Sequence, residues 1–347
     1  MNKPQNFFCN KEFYDKTIFI TNENKKIFKN SLNVNHFITF KIFYYLIINF
    51  FKYKNLFNSY KFTNFLFIKY NIEKKIFYNL FKKNNIKIFM TNHLSQEYSA
   101  SAVAAINELD GEAIGYTMSF SESYSSYLSI DAFNYFFSFN NRQYYKTKYS
   151  NLKNIASLGY ISDYKFLNYK NDANKIRQQL LATGAKYVIG FFDQGSSEDN
   201  MFYEGHDVSN VGYKFLLDKI IEDNNFALII KPKKPKLLKK KLGANYKLLI
   251  EAKKTGRCIS YDNYAQHHVK NFEDTPAKIA MASDLTIHDT LFAGTAGLES
   301  ALMGTKSILF DYYHLKKSQF DNNSLQIVYR NWDILWKDIK DDSNKKN

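Results

Sequence analysis

The sequence contains few cysteines, and their spacing matches no metal-binding or disulfide motif. Its 347 residues include two, Cys9 and Cys258, which lie far apart and form no CxxC pair. Two such residues supply neither a disulfide framework nor the ligands of a structural zinc site. We therefore expect a protein of a reducing compartment, the cytoplasm, with no bound metal.

Arginine is almost absent. Lysine outnumbers it 44 to 4, although the formal net charge is +15. Proteins that recognise nucleic-acid phosphates and bases usually recruit arginine, so we expect no nucleic-acid partner. Residues 1–90 carry a net charge of +12, which is compatible with a weak, peripheral attraction to an anionic membrane surface at the inner face or to an anionic acceptor. A bias towards A/T-rich codons would also explain this composition.

Long apolar runs are also missing. The longest, Ile42–Phe51, is bounded by Lys41 and Lys52 and is too short to span a bilayer. It predicts either a buried helix or a helix that lies in the membrane interface. The polar, mixed-charge start of the chain does not resemble a signal peptide.

The remaining pattern predicts an α/β protein. Residues 1–35 look irregular, and residues 37–81 form a helical, aromatic-rich segment. From Ile86 onward strands alternate with helices, which is typical of parallel sheets with crossover helices. We predict two Rossmann-like domains that face a cleft, over residues 1–170 and 171–340, followed by a polar tail over residues 341–347.

Phe292–Asp311 combines a turn of small residues, a short helix and a strand within twenty residues. It follows a predicted strand that ends at Asp289. The small residues Thr295, Ala296 and Gly297 open a helix whose free N–H groups suit a phosphate. Glu299 lies on the same helix face as Thr295 and could accept two ribose hydroxyls. Alternatively, the motif is only a well-capped βαβ unit, with Glu299 favourable near the helix start.

The segment Pro276–Asp311, which Thr275 precedes as a predicted helix cap, resembles the donor-binding signature of GT-B-type glycosyltransferases that build bacterial surface polysaccharides. Leu228–Pro235 resembles a second segment of these families, in which Lys231 and Pro232 match and Lys233 replaces the usual histidine. The residues that match the donor signature are Ser283, Asp284, Thr295, Glu299, Ala301, Gly304, Lys306 and Asp311. The closing C-terminal helix of these families is not evident after Lys340.

This resemblance implies a metal-independent glycosyltransferase. Its partners would be a nucleotide-sugar donor, which is a substrate rather than a cofactor, and a glycan or lipid-linked acceptor. Lys231, with Lys233, would neutralise the charge that grows on the donor phosphate. The helix start at Thr295–Gly297 would hold the same phosphates, Asp289 would lie beside them, and Glu299 would hold the ribose.

An inverting enzyme also needs a base for the acceptor hydroxyl. The candidates His93, Glu97 and Glu122 lie at or just beyond predicted strand ends in the N-terminal half, and the alternative for each is a solvated loop residue. His288 lies inside a strand and is predicted to be a core histidine. His267–His268 have no ligand partners at a suitable spacing, so we predict no metal there.

Two other functions are compatible with the sequence. One is a nucleotide-sugar epimerase of the same fold, which would act on the donor without an acceptor. The other is a basic, noncatalytic protein that binds a membrane or nucleic acid through residues 1–90.

Overall fold

The structure is a computed structural model. It describes residues 19–21, 31–33, 61–91, 97–116, 132–139, 152–161, 163–193, 205–262, 275–291, 294–314 and 326–346. The chain divides into two compact units, one of Met1–Met118 with Glu122–Tyr160 and one of Ser119–Ser121 with Ile161–Asn347. The main boundary therefore lies at residue 160, whereas the sequence-based boundary was set at residue 170.

The first unit contains a parallel sheet of four strands in the order β3-β4-β5-β6. Two short strands near the start of the chain pair in parallel, within the segment that was predicted to be irregular. The elements of this unit are β1 (Phe19–Thr21), β2 (Ser31–Asn33), α1 (Lys61–Lys83), β3 (Ile88–Thr91), α2 (Glu97–Glu108), β4 (Glu112–Tyr116), β5 (Tyr135–Ser138) and β6 (Asn154–Ser157).

The core of this unit lies between its two helices and the sheet. Phe77 and Phe81, four residues apart on α1, are buried against Ala102 and Ile106 of α2. The spacing of each pair places both side chains on one face of its helix, which explains why the two helices pack together.

The second unit contains a parallel sheet of six strands in the order β12-β11-β10-β7-β8-β9. When β7 is numbered as strand 1 and the sheet is read from β9 to β12, the order is 3-2-1-4-5-6, as in the Rossmann fold. Its elements are α3 (Lys170–Leu181), β7 (Tyr187–Phe192), α4 (His206–Glu222), β8 (Phe226–Lys231), α5 (Leu238–Leu242), α6 (Tyr246–Lys254), β9 (Cys258–Ser260), α7 (Pro276–Ala282), β10 (Leu285–His288), α8 (Gly294–Leu302), β11 (Lys306–Phe310), β12 (Val328–Tyr329) and α9 (Trp332–Lys346).

Strand β7 is buried on both faces. Phe191 packs in the same core cluster as Tyr213 of α4, whereas Val188 packs in a second cluster with Leu180 of α3. Successive side chains of a strand point to opposite faces, so an uninterrupted apolar run is required when helices cover both. The predicted α/β class with parallel sheets is confirmed.

The end of the chain differs from its prediction. Residues 341–346, which were predicted to be a polar tail, continue helix α9. Asp342 forms an ion pair with Lys306 at 2.6 Å, and Ser343 is buried. These contacts give an otherwise polar segment a surface on which to fold.

Within the part of the chain that the structure describes, no helix is both long enough and apolar enough to cross a membrane. The apolar run Ile42–Phe51 lies outside those residues.

Candidate functional site

The centre of the six-stranded sheet brings three strand ends to the same level. Phe192 of β7 is in register with His288 of β10 on one side and with Lys231 of β8 on the other. Asp193 and Asp289, which follow their strands directly, therefore lie at one edge. The strand order reverses between β7 and β10, and ligands of open α/β sheets collect at the carboxyl ends beside this switch point.

Asp193 is the centre of a buried polar network. Its Oδ2 atom accepts hydrogen bonds from the Tyr213 hydroxyl at 2.8 Å and from the Lys241 ammonium at 2.5 Å. Its Oδ1 atom accepts from the backbone N–H of Lys233. The Asp193 and Lys241 side chains are both almost fully buried. The network ties α4, α5 and the segment that follows β8 to the end of β7.

The two lysines predicted to bind the donor lie at this edge. Lys231 is the half-buried last residue of β8, and Lys233 is exposed two residues further on. Although Lys233 is exposed as a whole residue, partial withdrawal of its ammonium from water and the neighbouring charge of Lys234 lower the pKa of Lys233, while Asp193 and Asp289 oppose this shift. The site thus contains two cations next to a carboxylate, Asp193, whose charge Lys241 already balances.

Asp289 faces the protein interior. It is fully buried, its Oδ2 atom accepts a hydrogen bond from the Ser209 hydroxyl at 3.2 Å, and its backbone N–H donates to the Phe192 carbonyl. These contacts connect the end of β10 to α4 and to β7. A direct contact of Asp289 with a ligand stays a prediction.

Helix α8 begins close to this edge. Gly294 starts it with a φ of +56°, a conformation that favours glycine, and Thr295, Ala296 and Gly297 form its half-buried first turn. The first N–H groups of a helix have no carbonyl partner within that helix. The segment that was predicted to bind phosphate therefore has the predicted local structure, and its ligand remains a prediction.

Glu299 lies deeper than expected. It was predicted to hold a ribose, but it is only 5% exposed. Its Oε2 atom accepts a hydrogen bond from the backbone N–H of Ala277, in the first turn of α7, at 2.9 Å. The carboxylate therefore caps a neighbouring helix, and its contact with a ribose stays a prediction.

Two other residues of the matched motifs have structural partners. Asp284 accepts two hydrogen bonds from the Arg177 guanidinium and one from the backbone N–H of Val188. Asp311 is buried and accepts from Arg330 Nε at 2.7 Å. Both contacts lie within the second unit and hold its strands and helices together.

His288 is a core histidine, as predicted. Its ring stacks on Phe192 with centroids 5.1 Å apart, and its Nε2 atom lies 3.4 Å from the Thr286 hydroxyl. Burial lowers the pKa of His288 from 6.5 to about 3, so the imidazole is neutral at physiological pH.

The candidate bases are not tested by these contacts. Glu97 is the first residue of α2, whereas His93 and Glu122 lie outside the described residues. His267–His268 also lie outside them. Among the residues that the structure describes, no group of three or more His, Cys, Asp or Glu side chains could hold a metal ion.

Sequence reasoning did not identify Tyr213 and Lys241 as part of this site. The position of Asp193 could have indicated a polar contact, because a carboxylate that is buried at the end of an apolar strand needs a hydrogen-bond partner. The sequence does not distinguish Lys241 from the two lysines before it, Lys239 and Lys240.

No protein-family model matches the sequence, and no curated protein matches it significantly. Several solved structures resemble the fold at low identity. The UDP-GlcNAc 2-epimerase of Methanocaldococcus jannaschii is 13% identical, with a TM-score of 0.48 over 79% of this chain and 74% of that one. Anabaena HepE in complex with UDP is 12% identical, with a TM-score of 0.46 over 80% and 74%. The wall teichoic acid polymerase TagF is 11% identical, with a TM-score of 0.33 over 86% and 92%.

Proposed function

We propose that the protein binds a nucleotide-activated sugar at the carboxyl edge of β7, β8 and β10 and transfers the sugar to a glycan or lipid-linked acceptor. The observation that carries this proposal is the Rossmann strand order, because its switch point, between β7 and β10, lies next to the end of β8 and the two lysines there. The glycine-started helix α8 follows the same edge.

The proposed chemistry follows from these groups. The acceptor oxygen bonds to the anomeric carbon while the bond from that carbon to the phosphate oxygen breaks. The nucleotide leaves with the electron pair, and the acceptor proton passes to a base, for which Glu122, Glu97 and His93 remain the candidates. Lys231, Lys233 and the first-turn N–H groups of α8 would stabilise the charge on the departing phosphate.

Nucleotide binding tests the first half of the proposal. We expect one of UDP, GDP, ADP or CMP to raise the melting temperature, because a ligand at about 100 times its Kd stabilises the folded state by about 2.7 kcal/mol. Lys231→Ala and Lys233→Ala should abolish the shift. Lys254→Ala is the matched control. This exposed lysine is the last residue of α6 and precedes the start of β9, so it lies near the amino ends of the strands, away from the proposed site. Failure of every nucleotide to shift the melting temperature would contradict the proposal.

Product analysis tests the second half. The nucleotide identified in this way, attached to candidate sugars, is incubated with and without a lipid-linked acceptor pool. A glycosyltransferase releases free nucleotide and elongates the acceptor. Isomerised donor in the absence of acceptor would replace the proposal with an epimerase of the same fold.

A further inference from the structure

The segment that follows β8 has an extreme charge. Residues 231–250 contain eight lysines and no aspartate, glutamate or arginine. Six of these lysines are exposed, and only Lys231 and Lys241 are partly or fully buried. The exposed ones are Lys233, Lys234, Lys236, Lys239, Lys240 and Lys247.

The local fold directs several of these charges outward together. Leu238 and Leu242 of α5 are buried in the core, and Lys241 is held inside by Asp193. A 3-10 turn, Pro235–Leu237, precedes α5. Its Lys236 comes three residues before Lys239 and four before Lys240. Residues at this spacing share one side of a helical segment. The buried side chains anchor this segment while four of its lysines stay exposed, and we define Lys234, Lys236, Lys239 and Lys240 as the lysine surface.

We propose that this lysine surface docks the protein onto an anionic lipid bilayer. Leu237, which is 37% exposed, lies among the lysines and adds an apolar side chain that suits the boundary between headgroups and acyl chains. Lysine is a compact, strongly hydrated charge, which fits a diffuse layer of lipid phosphates better than a site with fixed bidentate geometry. Clusters of four to eight basic residues on an amphipathic surface are typical of binding to anionic lipids.

This surface belongs to the second unit and involves other residues than the basic segment 1–90, and the proposal does not depend on the proposed transfer reaction. It follows Lys231, the last residue of β8, and Lys233 along the chain, so docking would bring the carboxyl edge of the six-stranded sheet towards the lipid headgroups.

Co-sedimentation of the full chain with vesicles tests the proposal. The variant Lys234→Gln, Lys236→Gln, Lys239→Gln, Lys240→Gln is compared with a control that removes the same charge from exposed lysines elsewhere in the unit: Lys175→Gln, Lys186→Gln, Lys254→Gln, Lys337→Gln. On phosphatidylcholine vesicles with about 30% phosphatidylglycerol, the first variant should lose at least about tenfold in partition coefficient and the control less than about threefold. Wild-type binding should vanish on pure phosphatidylcholine and weaken as salt rises.

Three results would overturn the proposal. The first is an equal loss in both variants, which would make binding a matter of net charge. The second is full retention in the first variant, which would move binding to another segment. The third is a lysine-dependent affinity for soluble polyphosphate without any for the anionic vesicles, which would assign the surface to a polymer. Matching circular dichroism spectra and melting temperatures of the two variants establish that both are folded.

Discussion

The Oε2 atom of Glu299 in α8 accepts a hydrogen bond from the backbone N–H of Ala277 in α7, across 2.9 Å. The carboxylate satisfies an N–H group in the first turn of a helix, where negative charge is also favourable. Its removal should leave that group buried without an acceptor. We expect Glu299→Ala to lower the free energy of unfolding by about 1–3 kcal/mol and Glu299→Gln, which keeps an acceptor oxygen, by less than about 1 kcal/mol.

Urea unfolding measures both effects. The exposed Glu251 of α6 offers a matched control, and Glu251→Ala should change stability by less than about 0.5 kcal/mol. If Glu299→Ala proves as stable as this control, the capping role is wrong and a purely ligand-directed role for Glu299 gains support. If Glu299→Gln unfolds normally but binds nucleotide more weakly, the carboxylate serves both purposes.

The buried pair of Asp193 and Lys241 should be strongly coupled. Asp193→Asn leaves the Lys241 ammonium buried without its counter-ion, so we expect a loss of about 3–5 kcal/mol in the free energy of unfolding. Lys241→Met removes the cation but keeps the length of the side chain. The double variant should be more stable than the sum of the single effects predicts, by at least about 1 kcal/mol in a double-mutant cycle. Additive effects would show that the two charges do not depend on each other.

The same network should influence nucleotide binding. Asp193 Oδ1 accepts the backbone N–H of Lys233, so Asp193→Ala, which removes this acceptor, should weaken the nucleotide-dependent melting shift although Asp193 itself is buried. Lys241→Met leaves this contact in place and should weaken the shift less. The reverse order would show that the network does not position Lys233.

Much of this architecture could be predicted from residues that act locally. Strands β7 and β8 are continuous apolar runs, the pattern typical of strands that are buried on both faces. Thr275 was predicted to cap the helix that starts at Pro276, and its hydroxyl accepts the N–H of Lys278. Each of these features depends on a few neighbouring residues, which is the range over which sequence patterns are informative.

Features that depend on distant partners were not predictable in the same way. Nothing in the sequence near Glu299 indicates that its carboxylate accepts a hydrogen bond from the backbone N–H of Ala277, in another helix. Helices α5 and α6 were not predicted, because the lysine-rich segment takes its burial from contacts with α4. Past Lys340, α9 likewise contacts a distant residue, because Asp342 pairs with Lys306, 36 residues earlier.

His288 should make stability depend on pH. Because burial lowers its pKa from 6.5 to about 3, the unfolded chain binds a proton below about pH 6.5 that the folded chain does not. Stability from this residue is complete above the unfolded pKa and falls as the pH is lowered towards the folded one, with a slope of up to about 1.4 kcal/mol per pH unit.

His288→Phe should flatten this dependence. The phenyl ring can keep the stack on Phe192 but cannot take up a proton. Urea unfolding between about pH 7 and pH 5 should show a shallower slope for the variant than for the wild type. The exposed His314 has a φ of 50°, which asparagine tolerates, so His314→Asn is a suitable control and should keep the wild-type slope. A wild-type slope in His288→Phe would contradict the assignment.

Asp284 should contribute more to stability than its partner Arg177. The carboxylate accepts both guanidinium nitrogens, at 3.1 and 3.0 Å, and also the backbone N–H of Val188 at the start of β7, at 2.8 Å. Asp284→Ala therefore leaves two kinds of donor without an acceptor, and we expect a loss of about 3 kcal/mol in the free energy of unfolding. Arg177→Ala leaves the Val188 contact intact and should cost about 1–2 kcal/mol.

Gly212 should tolerate no side chain. A Cβ atom there would lie 2.6 Å from the Tyr312 hydroxyl oxygen and 2.7 Å from a ring carbon of Trp332, so one of these large side chains would have to move. We expect Gly212→Ala to lower the free energy of unfolding by about 1–3 kcal/mol, even though alanine favours helices. Adding Tyr312→Phe removes the nearest atom and should restore part of the loss. If Gly212→Ala were neutral or stabilising in urea unfolding, α4 could not pack against Trp332 as closely as this contact requires.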